Sequence, residues 1–198
     1  MKNFRGLSIA LAMCAMPAFA DQTKASRPAR PAPTNWWGED YRTADNNFFI
    51  EGGGPGLLYS LNYERIFEQD FGLRLGFSYQ AFSASASGGS ASATFITIPV
   101  IASYLGVSSG NHVLELGAGG TAIYASGSAS SGGVMAAGSG MTALGTALLG
   151  YRRQPVDGGF LFRVGVEALV GKGLSLSNPD PNKIGVLPWM YLSIGFSL

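Results

Sequence analysis

Along most of the chain after Asn47, apolar residues alternate with small or polar ones at a period of two, the signature of β-strands with two different faces. Between Phe71 and Ala81, the residues Phe71, Leu73, Leu75, Phe77 and Tyr79 share one face, while Gly72, Arg74, Gly76, Ser78 and Gln80 share the other. The carboxyl-terminal segment repeats this, with Met190, Leu192, Ile194, Phe196 and Leu198 opposite Trp189, Tyr191, Ser193, Gly195 and Ser197. So does the stretch from Phe160 to Val170, where Arg163, Gly165 and Glu167 oppose Phe160, Phe162, Val164 and Val166. The pattern predicts eight strands, at about 47–53, 57–67, 71–82, 94–105, 111–124, 141–153, 158–170 and 187–198. Leu144, Leu148 and Leu149 interrupt the alternation of the sixth, and Pro99 takes one ladder hydrogen bond from the fourth. Gly52-Gly53-Gly54-Pro55-Gly56 marks the first turn.

The connections alternate in length. Those at Gln69-Asp70, Val107 to Gly110 and Pro155 to Gly158 are short, whereas Phe82 to Ala93, Ala125 to Gly140 and Gly171 to Val186 are long. Short turns on one side, long loops on the other and an even strand count predict an all-β, eight-stranded, antiparallel, up-and-down transmembrane β-barrel over 47–198. In lipid such strands must close, because an unpaired backbone group costs several kcal/mol there. The polar face then lines the lumen and includes Glu51, Ser60, Asn62, Glu64, Arg74, Gln80, Thr97, Glu115, Thr146, Arg152, Arg163 and Glu167. A barrel of this size is filled by side chains or holds one small ligand. Its charges must therefore pair, and Glu51, Glu64, Arg74, Glu115, Arg152, Arg163 and Glu167 are expected to form a lumenal network. The inward glycines Gly72, Gly76, Gly117, Gly119 and Gly165 are expected to leave some space for water. Tyr59, Tyr63, Phe71, Tyr104, Tyr124, Tyr151, Phe160 and Trp189 are expected to form interfacial girdles.

Composition agrees with a membrane wall: 46% of the 198 residues are hydrophobic and only 13% charged. The 29 glycines disfavour long helices, and no uncharged apolar run is long enough for a helical span. Lys2, Arg5, the apolar run from Gly6 and Ala18-Phe19-Ala20 read as a signal peptide over 1–20, cleaved near Ala20. Cleavage removes two positive charges and the only cysteine, turning a net charge of +1 into −1. Cys14 follows Met13, a poor fit to a lipoprotein box, so lipidation is not expected. Residues 21–46 form a linker, with Arg27-Pro28-Ala29-Arg30-Pro31-Ala32-Pro33 favouring polyproline geometry. Trp36 and Trp37 follow, at the interface or against the barrel rim. With no basic cluster, nucleic acid is an unsuitable partner.

Catalytic and cofactor chemistry find little support. His112 is the only histidine and stands without a serine in a recognisable motif. No metal-ligand spacing occurs, and Gly171-Lys172-Gly173 lacks the rest of a phosphate loop. Glu115 with Glu167, or Glu51 with Glu64, suits salt bridging to the arginines better than acid–base work. No cofactor is expected. The loops Ser83 to Ser92 and Ser126 to Gly140 read as flexible and uncharged, leaving Ser177-Asn178-Pro179-Asp180-Pro181-Asn182-Lys183 as the place for an unknown surface ligand.

Several stretches resemble a family of small exported β-barrel proteins of Gram-negative outer membranes with no defined activity. They are Gly56-Leu57-Leu58-Tyr59-Ser60-Leu61-Asn62-Tyr63-Glu64-Arg65, Thr97-Ile98-Pro99-Val100 with Tyr104, and Leu114-Glu115-Leu116-Gly117-Ala118-Gly119. Gly150-Tyr151-Arg152, Asp157-Gly158-Gly159-Phe160, Phe162-Arg163-Val164-Gly165, Leu187-Pro188-Trp189 and Leu192-Ser193-Ile194-Gly195-Phe196 complete the match over 47–198. The resemblance implies outer-membrane lipid and the barrel-insertion machinery as partners. The wider group ends in an aromatic residue, whereas here Leu198 is last and Phe196 third from last. The expected protein is a monomeric, non-enzymatic barrel with a structural or surface-interaction role. A narrow channel or small-molecule carrier is the alternative, and a soluble periplasmic lipocalin-like barrel with its faces exchanged is the second.

Overall fold

A computed structural model describes residues 42–174 and 182–198. Its strands are β1 (Asn46–Gly53), β2 (Tyr59–Phe67), β3 (Phe71–Ala86), β4 (Gly89–Ser109), β5 (His112–Ser131), β6 (Val134–Arg153), β7 (Gly159–Lys172) and β8 (Ile184–Ser197). Each pairs antiparallel with its sequence neighbour, and β1 pairs with β8, so the sheet closes as a barrel in strand order. Both described chain ends lie at one end of it, here the terminal end, and the opposite end carries the turns after β1, β3 and β5. The leader, most of the linker, Cys14, Trp36 and Trp37 fall outside the described residues, as do five residues of the stretch Ser177–Lys183.

Register decides which face each residue takes. Arg74, Arg163, Glu51, Glu64 and Glu115 are fully buried, while Leu61, Leu75, Leu192 and Ile194 are more than half exposed. In a soluble protein this would be inverted. The exposed wall is the surface that lipid covers, and the charged face is the interior. A lipocalin-like barrel with an apolar inside is thereby overturned, because β3 and β8 direct their Phe, Leu and Ile side chains outward.

Two expectations need correction and one is met. First, the stretches Ser83 to Ser92 and Ser126 to Gly140 are strand, not flexible loop. β3 and β4 stay paired to Ala86↔Gly89, and β5 and β6 to Ser131↔Val134. The turns are only Ser87-Gly88 and Gly132-Gly133, whose glycines take φ values of 100°, 57° and 85° that suit tight hairpins. Serine, alanine and glycine hide this pairing from a hydrophobicity pattern, since backbone hydrogen bonds need no apolar side chain.

Second, as expected, the sixth segment and the Pro99 strand are members of the barrel, and the latter loses ladder pairing at its proline. The β3–β4 ladder skips Gly76 and Phe77 between Leu75↔Val100 and Ser78↔Thr97, facing the proline that lacks an N–H. Third, the inward glycines do not leave empty space. A methyl group on Gly165 would come within 2.7 Å of the Tyr191 ring and of the Gly150 backbone, and one on Gly117 within 2.9 Å of Leu148. Glycine stands where a large neighbour lies across the wall.

Candidate functional site

The lumen carries the chain's concentrated chemistry. Arg163 on β7 is its hub. Its Nε and Nη2 donate to the two oxygens of Glu115 on β5 at 2.9 and 2.7 Å, the paired geometry in which a guanidinium fits a carboxylate best. Its Nη1 reaches Glu51 on β1 at 3.2 Å, and Arg74 on β3 donates to that same Glu51 oxygen at 2.7 Å. Ser193 and Ser103 donate to Glu51 and Glu115 at 3.0 Å each, and the other Glu51 oxygen, Oε1, has no hydrogen-bond partner among the described residues. The Arg163 guanidinium also lies 4.4 Å over the Phe49 ring and 5.2 Å from that of Tyr191, so its flat faces meet aromatic rather than aqueous surroundings.

Nearer the terminal end, Arg152 pairs with Glu64, which also accepts from Asn47 at 2.9 Å, and Gln154 donates to Asn47 at 2.9 Å. Arg152 and Arg163 sit directly opposite one another on β6 and β7. Such like charges repel across a ladder, and here each turns to a different carboxylate. Ile66, Leu105 and Val113 form an apolar cluster beside this pair. Residues 42–45 run across the terminal end, with Thr43 and Ala44 donating to the Val156 carbonyl. Burial, helped by the nearby Arg152, pulls the Arg42 guanidinium down to about 10.

The opposite mouth receives the first turn. Gly54–Gly56 forms a 3-10 turn whose residues are all buried. The Gly56 carbonyl accepts from Gln80 at 2.8 Å and from Thr97 at 3.4 Å. The chain enters this fold through positive φ at Gly53, Gly54 and Leu57, and the Trp189 indole donates to the Leu57 carbonyl at 3.3 Å.

The structure brings together six of the seven residues expected in the network. Glu167 is buried with them, but neither of its oxygens has a hydrogen-bond partner among the described residues. Among the described residues, four lumenal carboxylates against three guanidiniums leave one acid over, and Glu167 is that acid. Tyr59, Tyr63, Phe71, Tyr104, Tyr124, Tyr151 and Phe160 lie on the outer wall. Trp189 does not: it stands opposite Glu167 and so takes the lumenal face, where it reaches the first turn. Sequence reasoning missed Asn47, Phe49, Ser103, Gln154 and Ser193 as members of the network. The alternation of Asn47, Phe49 and Glu51 within β1 signals the first two; long-range register alone selects the others.

His112 is exposed on the outer wall, its Nδ1 2.6 Å from the Tyr151 hydroxyl. No group of three or more metal-binding side chains occurs among the described residues.

A closed ring of eight strands with charge inside and apolar side chains outside defines a transmembrane β-barrel of the outer-membrane type. No family model matches the chain, and no curated protein matches it. Among solved structures it is similar to Ail, the attachment invasion locus protein of Yersinia pestis. That similarity is at 15% identity and a TM-score of 0.47, covering 78% of this chain and 99% of the other. A second structure of Ail, in complex with the heparin analogue sucrose octasulfate, gives a TM-score of 0.48 at the same identity and coverage.

Proposed function

We propose that this protein is a non-enzymatic outer-membrane barrel with a plugged lumen, whose role is structural or lies in contacts made at the surface. The observation that carries this reading is Arg163, which ties β7 to β5 and to β1 through fully buried ion pairs spanning the lumen. Opening a conducting path there would strip partners from buried charges, a loss of about 3–5 kcal/mol for each broken pair. The buried turn at Gly54–Gly56 and the residues laid across the terminal end support the same reading. Against an enzyme stands the position of His112, out on the wall and bonded to a tyrosine.

The deciding experiment is reconstitution of the purified protein into planar bilayers. The expected trace is silent. Steady unitary steps, lost when Arg163 is replaced by leucine, would establish instead the narrow channel. One observation favours that second reading: Arg74 Nε and Nη2, Arg152 Nε and both Glu167 oxygens lack protein partners, leaving polar atoms for water to bridge. Localisation is checked by fractionation, with outer-membrane recovery, a mobility shift on boiling and a mature amino terminus at Asp21 as the expected result. Recovery as a soluble periplasmic protein would refute it.

A further inference from the structure

Among the described residues the outer wall carries no carboxylate on any strand, since Glu51, Glu64, Glu115 and Glu167 are all buried on the inner face. It does carry basic side chains. At the terminal end of the wall, His112 on β5 stands directly opposite Arg153 on β6, and both are exposed. The ion pairs among the described residues all lie in the lumen and involve neither of them. The next carboxylate along the chain, Asp157, accepts from Thr43 at 3.3 Å. An arginine facing a histidine across an antiparallel ladder, with no acid beside them, offers two donors to an anion rather than to each other.

Directly behind this pair the same wall is apolar. The next outward row is Leu114, Tyr151 and Val164, and the one after it Leu116, Leu149 and Val166. All six are 39% to 58% exposed. The Tyr151 hydroxyl is bonded to His112 Nδ1 at 2.6 Å, so Nε2 is the ring nitrogen left to meet an anion when it carries a proton. A pair of basic side chains therefore sits at the end of an apolar stripe three strands wide. We infer that His112 and Arg153 bind the phosphate of an anionic phospholipid in the leaflet at the terminal end, with its chains lying along the stripe of Leu116, Leu149 and Val166. This rests on the membrane-barrel reading. Free phosphate shares the headgroup chemistry but has nothing to place on the apolar stripe.

The test is lipid selectivity by spin-label electron paramagnetic resonance, with the full chain in bilayers and labelled phosphatidylglycerol compared with phosphatidylcholine. Wild-type protein is expected to favour the anionic lipid by about fivefold at this site, the effect of one basic group at a membrane surface. The preference should fall in Arg153→Gln and further in Arg153→Gln combined with His112→Gln. An equal preference in wild type and double variant overturns the site. In detergent micelles, inorganic phosphate alone shifting the Arg153 resonance as strongly as phosphatidylglycerol overturns the lipid as occupant. Because the barrel is verified separately by its mobility shift on boiling, a variant that keeps the shift and loses selectivity supports the site. Loss of the shift in the wild-type protein would instead condemn the membrane reading.

Discussion

Strands β3 to β6 pass through two environments. Toward the terminal end from the row Tyr79, Ile96, Tyr124 and Met141, they show large apolar side chains outside and the charged network among buried apolar residues such as Ile101 and Leu148 inside, and β3 up to Phe77 and β6 from Gly145 are paired on both edges. Beyond that row the outer face turns to serine and threonine: Ser83, Ser92 and Ser128 align, as do Ser85, Ser90 and Ser130. The inner face becomes alanine and glycine, with Ala84, Ala91, Ala129 and Ala136 in one row. Here the β3–β2 pairing has ended at Phe77 and the β6–β7 pairing begins only at Gly145, so the sheet projects with two open edges. Two hydroxyl pairs, Ser90 with Ser130 and Ser92 with Ser128, bridge its middle strands at 2.9 Å. Water can satisfy an open edge and hydrocarbon cannot, which is why closure is confined to one region and small side chains suffice in the other.

Breaking the lumenal network should produce the largest difference between the regions. Glu51→Ala leaves Arg74 and part of Arg163 without a counter-charge and is expected to cost about 3–5 kcal/mol, read by urea unfolding in vesicles. An unchanged midpoint would mean that water replaces Glu51 at little expense. Next comes the outer wall. Leu75→Arg, at the level of the apolar band, should lose about 2–4 kcal/mol, while Ser128→Arg on the projecting sheet should change stability by less than about 0.5 kcal/mol. Equal losses at the two positions would erase the distinction between lipid-covered and water-covered wall.

Filling an inward glycine sharpens the comparison further. Gly165→Val is expected to destabilise by about 1–3 kcal/mol through overpacking against Tyr191 and Gly150, whereas Gly138→Val meets nothing within 4 Å and should be near neutral. The smallest effect concerns dynamics. Amides of Ser83–Ala86 and Val134–Ala137 should exchange with solvent orders of magnitude faster than those of Leu73 and Leu149, by hydrogen exchange in micelles. Comparable protection at both levels would show that the open edges are covered.

Much of the barrel is legible in one dimension. Phe71 to Gln80 and Trp189 to Leu198 reveal strand and face at once, because lipid on one side and a narrow lumen on the other force a strict period of two. The alternation also identified the charges of the network, since Glu51, Glu64, Arg74, Glu115, Arg152 and Arg163 occupy the face opposite the apolar residues. What it could not supply was partner choice. Nothing local says that Arg163 takes Glu115 and Glu51 while Arg152 takes Glu64, or that Glu167 is left alone. Those choices depend on the stagger between strands up to 142 positions apart, as for Ser193 and Glu51.

The serine-rich hairpins show the complementary failure. Their sequence carries the period of two, but in serine against alanine, a contrast too weak in hydrophobicity to register, and the long loops expected there are strands. Trp189 is similar: its parity was visible, yet its aromatic character suggested the interface. By itself the sequence determined the strand count, the inside and outside of the wall and the absence of a helical span, because these follow from side-chain polarity read along one strand. The tertiary structure alone decided which charges meet, that the first turn enters the mouth, and how far β3 to β6 project. Those depend on register around a closed ring, and closure is a property of all eight strands together.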